Sequence, residues 1–365
     1  MPAGLALAAC LSAFQPPAAE LDRPAAPDAA LAPQRLLALL HAPEVHRELG
    51  LTAEQVRGLE ELFTETDGPW FRSRNLPEAK QREVISGLED RVHEWLANQA
   101  SAEQRRRLRQ LEYQALGTRS LFREELARQL DLRDAQRRRL AERARATDAA
   151  QRQLQQARLR GEATERLEAD ARAAAEAERA APGEVLRPEQ QRALGLALGE
   201  PFNVTGLTRV YPTAPELEPV EDWINSKPLT LKDLRGKVVL VHFYAFQCHN
   251  CHANFPIYNR WHETYDEDEV VVLGIQTPET ARERDPAAVR AAAKERGLDF
   301  PILVDLESKN WDAWSNTMWP TVYVVDQEGY LRGWWQGELN WQDATGDETI
   351  EALVDGLLTA GATTQ

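Results

Sequence analysis

The chain has three cysteines in 365 residues, too few to staple a scaffold with disulfides and too few for a four-thiolate zinc site. Once Cys10 near the amino terminus is set aside, one pair remains, Cys248 and Cys251, and its purpose has to be sought locally. Long apolar runs are missing as well: no stretch of 18 apolar residues occurs, which excludes a spanning helix outside the amino terminus. Positive charge is scarce in the second half. Residues 1–200 carry 30 Lys and Arg against 32 Asp and Glu, residues 201–365 carry 13 against 26, and nearly all of the net charge of −15 therefore sits downstream. Phosphate recognition needs clustered basic side chains, so nucleic acid is excluded as a partner of that half.

A chain of this length exceeds one hydrophobic core, and two domains are expected. Residues 1–33 read as a leader: MPAGLALAACLSAFQPPAAE holds an apolar stretch of signal-peptide length followed by Pro and small residues, which predicts export to the periplasm or cell envelope. Within it Leu7-Ala8-Ala9-Cys10 resembles the lipobox of bacterial lipoproteins, which would make Cys10 a membrane tether, although no Lys or Arg precedes Arg23. The other reading is an Ala/Pro-rich leader in which Cys10 has no part.

Residues 34–200 read as an all-α domain, rich in Leu, Ala, Glu, Gln and Arg, with apolar positions three and four apart, as at Leu36, Leu37 and Leu40. Capping boxes open helices at Thr52-Ala53-Glu54-Gln55 and Ser101-Ala102-Glu103-Gln104. Related starts at Arg133-Asp134-Ala135-Gln136 and Arg187-Pro188-Glu189-Gln190 lack the cap hydroxyl, and together the four suggest an internal duplication built of helical hairpins. They are loosely similar to the LTXXQ motif of small exported helical proteins of the Spy type. Residues 133–181 hold few large apolar side chains, so a projecting helical arm or coiled-coil segment is expected there, the other reading being a partly disordered charged linker, and the helical domain is a candidate for self-association. Five prolines between Pro201 and Pro228 break the helical spacing and mark a linker over residues 201–222.

From residue 223 to residue 365 the pattern changes to strands and helices. Lys237 to Phe246 is a nearly continuous apolar run, the signature of a strand covered on both faces. Directly after it, Cys248 falls at the start of a helical segment. Unpaired amides and the helix dipole favour a thiolate at such a position, which makes Cys248 the nucleophile candidate. Two intervening residues bring Cys251 within bonding range as the resolving thiol. Strands at residues 270–275, 302–304, up to Val325 and at 330–335, with helices at 286–296 and 348–358, complete the order of a thioredoxin fold.

The segments GKVVLVHFYAFQCHNCHANFP and TPETARERDPAAVRAAAKERGLDFPILVD resemble exported TlpA-like thioredoxins and their DipZ-like branch. That resemblance implies a thiol-disulfide oxidoreductase without a metal or organic cofactor, acting on protein thiols and disulfides and served by a redox recycling partner. It also implies that Pro320, in Trp319-Pro320-Thr321, is the cis-proline facing the active-site sulfurs and offering backbone to an extended peptide. Pro256 matches the proline of the active-site helix. His242 occupies the place of the buried acid beneath the sulfurs in thioredoxin, as a shuttle for the resolving thiol's proton or simply as a packed histidine. Glu279 falls where some TlpA-like proteins carry an active-site glutamate. His249-Asn250 replaces the usual Gly-Pro between the cysteines, and Gln247 the usual tryptophan, which leaves the direction of electron flow open.

Two rival readings come from the same residues. Cys248-His249-Asn250-Cys251-His252 satisfies the C-x-x-C-H pattern of covalent haem attachment, with His252 as axial ligand. The fold could also serve as a docking module of a helical interaction protein, a reading that intact cysteines disfavour.

Overall fold

The computed structural model describes residues 28–160 and 162–362; residues 1–27, with the apolar stretch and Cys10, lie outside them, whereas Leu31 and Ala32 at the end of the expected leader are buried in the core of the helices. The described residues form two compact units, one of residues 28–58 and 85–208, the other of residues 59–84 and 209–362. No helix among them is long and apolar enough to cross a membrane.

Nine α-helices precede the sheet among the described residues: α1 Leu36–His41, α2 Pro43–Glu48, α3 Ala53–Ser73, α4 Glu78–Gln99, α5 Ala102–Leu116, α6 Glu124–Gln129, α7 Asp134–Leu159, α8 Glu165–Val185 and α9 Pro188–Leu198. The cap glutamines hold the first unit together in pairs. Gln55 and Gln104 share a side-chain hydrogen bond of 3.1 Å while their amides donate to Gln99 O and Gly50 O. Gln136 and Gln190 repeat this at 2.8 Å, donating to Val185 O and Leu130 O. Gly50 and Asp131 both take a left-handed backbone just ahead of these starts, with φ of 59° and 48°.

The stretch expected as a projecting arm or coiled-coil segment is two helices, α7 and α8, packed on each other. Buried Ala141, Ala144, Ala171 and Ala181 explain how so few large apolar residues suffice, because small side chains let helices pack closely. Thr147 Oγ1 donates across the seam to Ala174 O (3.2 Å).

The second unit is built on a six-stranded sheet of order β1-β4-β3-β2-β5-β6, with β1 Trp223–Ile224, β2 Val238–Tyr244, β3 Val270–Gln276, β4 Ile302–Val304, β5 Thr321–Val325 and β6 Leu331–Gln336. The β2–β3 and β3–β4 pairs are parallel; the β1–β4, β2–β5 and β5–β6 pairs are antiparallel. Every residue of β2 is buried, as its unbroken apolar run requires. Alternation sends Val238, Leu240, His242 and Tyr244 to one face and Val239, Val241 and Phe243 to the other. The first face is covered by α10 His249–Thr264, α11 Pro286–Glu295 and α13 Gly346–Ala362. The second packs on the segment before β1, on Trp314 after the short α12 Lys309–Ala313, and on Phe71. Residues 59–84, the last part of α3, the turn after it and the start of α4, thus belong to the compact unit of the sheet rather than to that of the remaining helices.

Candidate active site

The carboxyl end of β2 leads through Ala245 and Phe246 to Cys248, which caps α10; its N–H donates to Ala245 O (3.1 Å), and the N–H of Cys251 donates to Cys248 O (3.1 Å). Both thiols are free, Cys248 half-buried and Cys251 fully enclosed at 0% exposure. Their environments push them apart. The Cys248 thiol is lowered by a hydrogen bond from the Cys251 side chain and by the N–H groups of the first turn, against burial and the charge of Glu279. Cys251 is raised, first by burial and then by that same hydrogen bond. These surroundings favour the proton on Cys251 and negative charge on Cys248.

Glu279 is exposed on the loop after β3, and its negative charge adds a small upward push to both sulfurs, outweighed at Cys248. Pro320 precedes β5 and follows a cis Trp319–Pro320 bond; Thr321 pairs with Phe243, which puts Pro320 at the end of β2 from which the cysteines follow. Beside it, Trp319 stacks on Trp311 (4.1 Å) and Met318 is 41% exposed. Pro256 lies inside α10, which continues to Thr264.

His242 is deeper. Its ring is enclosed at 0% exposure between Tyr258 (4.0 Å, stacked), Tyr244 (5.4 Å, stacked) and the edge of Phe300 (5.0 Å). Neither ring nitrogen has a hydrogen-bond partner among the described residues, and burial pushes its pKa down to about 3. A Cβ on Gly274, its partner on β3, would stand 3.2 Å from His242, Phe300 and Tyr244 alike, so a side chain there would crowd the three rings. Tyr244 and Tyr258, the two rings stacked on this histidine, are both raised mainly by burial and further by charge at Cys251. The structure thus groups Cys248, Cys251, Pro320 and Glu279 at one end of the sheet and sets His242 in the core beneath.

Sequence reasoning missed Glu283. Fully buried, it accepts the Gln247 N–H on Oε1 (2.6 Å) and the Glu279 and Thr280 N–H groups on Oε2 (2.9 and 2.8 Å). One carboxylate thereby joins the residue before the nucleophile to the loop that carries Glu279. Its signal was present as Thr280-x-x-Glu283, a capping-box spacing, and the box is formed.

Haem attachment does not fit these residues. A thioether needs access to Cys251, which is sealed in the core at 0% exposure. No group of three or more His, Cys, Asp or Glu among the described residues could hold a metal ion.

A parallel-cored sheet with a lowered and a raised cysteine at the start of the helix after β2 defines a thioredoxin-like dithiol site. Residues 213–333 match the AhpC/TSA family. The thiol-disulfide oxidoreductase YkuV of Bacillus subtilis is 33% identical over 119 residues, 32% of this chain and 79% of YkuV. Protein DipZ of Mycobacterium tuberculosis is 32% identical over 175 residues, 42% of this chain, so the chain spans about a quarter (25%) of the length of that relative. A solved thiol-disulfide isomerase from Corynebacterium glutamicum is 26% identical, with a TM-score of 0.35 over 40% of this chain and 96% of its own. Through its carboxy-terminal domain the chain belongs to the thioredoxin-like thiol-disulfide oxidoreductases.

Proposed function

We propose that this protein exchanges disulfides with protein thiols outside the cytoplasm, through Cys248 and Cys251. The observation that carries the reading is the split between the two thiols, one lowered and half-exposed, the other raised and enclosed. In the reducing direction, the Cys248 thiolate attacks a partner disulfide, a mixed disulfide forms, and one partner sulfur leaves as thiolate. Cys251 then loses its proton and attacks Cys248 Sγ, releasing the second partner sulfur. Two electrons pass to the partner and a Cys248–Cys251 disulfide remains for a dithiol recycling partner to reduce. The reverse sequence donates a disulfide.

Because Cys251 is raised, its proton needs an acceptor. Glu279 is the favoured base: its carboxylate acts on both sulfurs and sits in solvent, where the proton can leave. His242 would have to become an imidazolium in a site that burial closes to charge. Pro320, beside Met318 and Trp319, would offer the backbone to which an extended peptide pairs. Export rests on the apolar leader, tethering on Cys10 within it, and self-association on the helical region; cell fractionation of the full chain and of a Cys10→Ala variant tests the first two.

The exchange itself is tested by a glutathione redox titration of the full chain, following Cys248 and Cys251 by thiol alkylation. A reversible two-electron transition near about −270 mV marks a reductant and one near about −120 mV a disulfide donor. Absence of any reversible transition overturns the reading.

A further inference from the structure

Arg74 follows α3 in the turn to α4, far from the cysteines in sequence, yet it is 7% exposed inside the unit of the sheet. Its Nη1 donates to Phe71 O (2.8 Å), and its Nη2 faces Trp314 O (2.6 Å), Ser315 O (3.1 Å) and the Tyr323 hydroxyl (3.1 Å). The guanidinium carbon lies 3.6 Å from the centroid of the Phe71 ring. Burial lowers its pKa, and the groups around it are carbonyls, a hydroxyl and a ring rather than a carboxylate. A planar fork of donors matches such an array in a way that an ammonium cannot.

What it grips is a loop held in an uncommon shape. Ser315 has φ of +43°, a left-handed backbone that residues with a side chain rarely adopt. Its carbonyl receives Arg74 and also Asn75 Nδ2 (2.5 Å). From there the bonds run on toward the site. Tyr323 Oη, held by Arg74, donates to Asn316 Oδ1 (2.9 Å); Asn316 Nδ2 donates to Met318 O (3.0 Å), and Thr321 Oγ1 to the same oxygen (2.9 Å). A second, aromatic path accompanies the first, from Phe71 to Trp314 (6.2 Å), Phe243 (5.8 Å), Trp311 (6.1 Å) and Trp319 (4.1 Å).

We propose that Arg74, with Asn75, is a positioning residue for the Ser315–Pro320 loop, so that the segment of residues 59–84 supplies part of the frame that presents a protein disulfide to Cys248. The inference rests on the disulfide exchange proposed above. Arg74 acts only through the loop: it leaves the sulfurs' acidity alone and sets how well the peptide around the target disulfide is received.

The test compares the full-length wild type with Arg74→Met and Asn75→Ala in reduction of insulin, with dithiothreitol as electron donor. Arg74→Met keeps the aliphatic stem and loses the donors. The expected result is a KM for insulin raised at least about fivefold in Arg74→Met and about twofold in Asn75→Ala, since each lost bond of this kind is a factor of a few to ten. The pH profile of Cys248 alkylation stays where it was in both. A folded Arg74→Met with unchanged KM overturns the proposal, as does a KM change accompanied by a shifted alkylation profile, which would mean general distortion of the site. Should Arg74→Met fail to fold, Asn75→Ala decides, because Asn75 is exposed and its loss spares the core: an unchanged KM there overturns the proposal. A wild type with no insulin reduction and no reversible dithiol transition removes the underlying exchange reading, whereas an active wild type with an indifferent Arg74→Met removes this inference alone.

Discussion

On the face of the sheet that carries the cysteines, His242 and Gln276 are fully enclosed, and none of their side-chain nitrogens or oxygens is hydrogen-bonded to a described residue. On the opposite face Arg74 is enclosed almost as completely, yet it is bonded to three carbonyls and a hydroxyl. The difference follows from charge. An unpartnered neutral imidazole or amide is tolerated at about 1–3 kcal/mol, whereas an unpartnered guanidinium in the same surroundings would cost several times more. The unpartnered groups enclosed on the cysteine face are therefore neutral ones. The opposite face carries a permanent charge only because a loop is folded around it.

The largest expected effect separates the faces by what they do. Cys248→Ser removes the proposed attacking sulfur, and reduction of a protein disulfide should fall by at least about 10³-fold, as for loss of a catalytic nucleophile. Cys251→Ser should still attack but accumulate the mixed disulfide, visible as a covalent adduct on a non-reducing gel. An active Cys248→Ser would place the chemistry elsewhere.

Phe71→Ala is the matching change on the opposite face. Its ring is buried with Trp314, Tyr323 and Phe243, and truncation should lower unfolding stability by about 3–5 kcal/mol while Cys248 alkylation keeps its pH profile. Urea denaturation of the full chain measures it. A loss below about 1 kcal/mol would show that the sheet does not depend on the helical segment.

These two changes also show what could be read from the chain and what could not. Val238 to Tyr244 announces a covered strand by composition, and the cysteines after it announce their helix start, because both signals lie within a few neighbouring residues. The capping boxes at Thr52 and Ser101 are local in the same sense and form as expected. Glu283 was half-legible: its box spacing stands in the sequence, but its bond to Gln247 spans 36 residues. Phe71 and Arg74 had no signal. Arg74 meets Trp314 across 240 residues, and nothing in an Arg after a helix distinguishes a buried fork from a solvated one. The pairing of α7 with α8 was less legible for another reason: alanine seams carry little hydrophobic pattern although they bury well.

The histidine sharpens the comparison through pH. In the folded chain the pKa of His242 is about 3, against about 6.5 when unfolded, so between these values the unfolded chain binds a proton that the folded chain refuses. Stability should consequently rise with pH across that window, by up to about 1.4 kcal/mol per unit, and this part is present above pH about 6.5 and lost on acidification. His242→Phe should flatten the slope by that amount. Urea unfolding at several pH values between 4.5 and 7 measures both proteins, and parallel curves would mean that the ring is not closed to charge.

The smallest effect concerns Glu279, whose carboxylate acts on both sulfurs. Its negative charge raises Cys248, so Glu279→Gln should move the alkylation midpoint of Cys248 to lower pH while stability stays within about 0.5 kcal/mol, as for an exposed side chain. The more easily formed thiolate should nonetheless resolve its mixed disulfide more slowly, because the same substitution removes the base that accepts the Cys251 proton. Opposite movements of acidity and resolution rate identify a base. A lower midpoint with unchanged resolution would leave Glu279 as a charge near the sulfurs and nothing more.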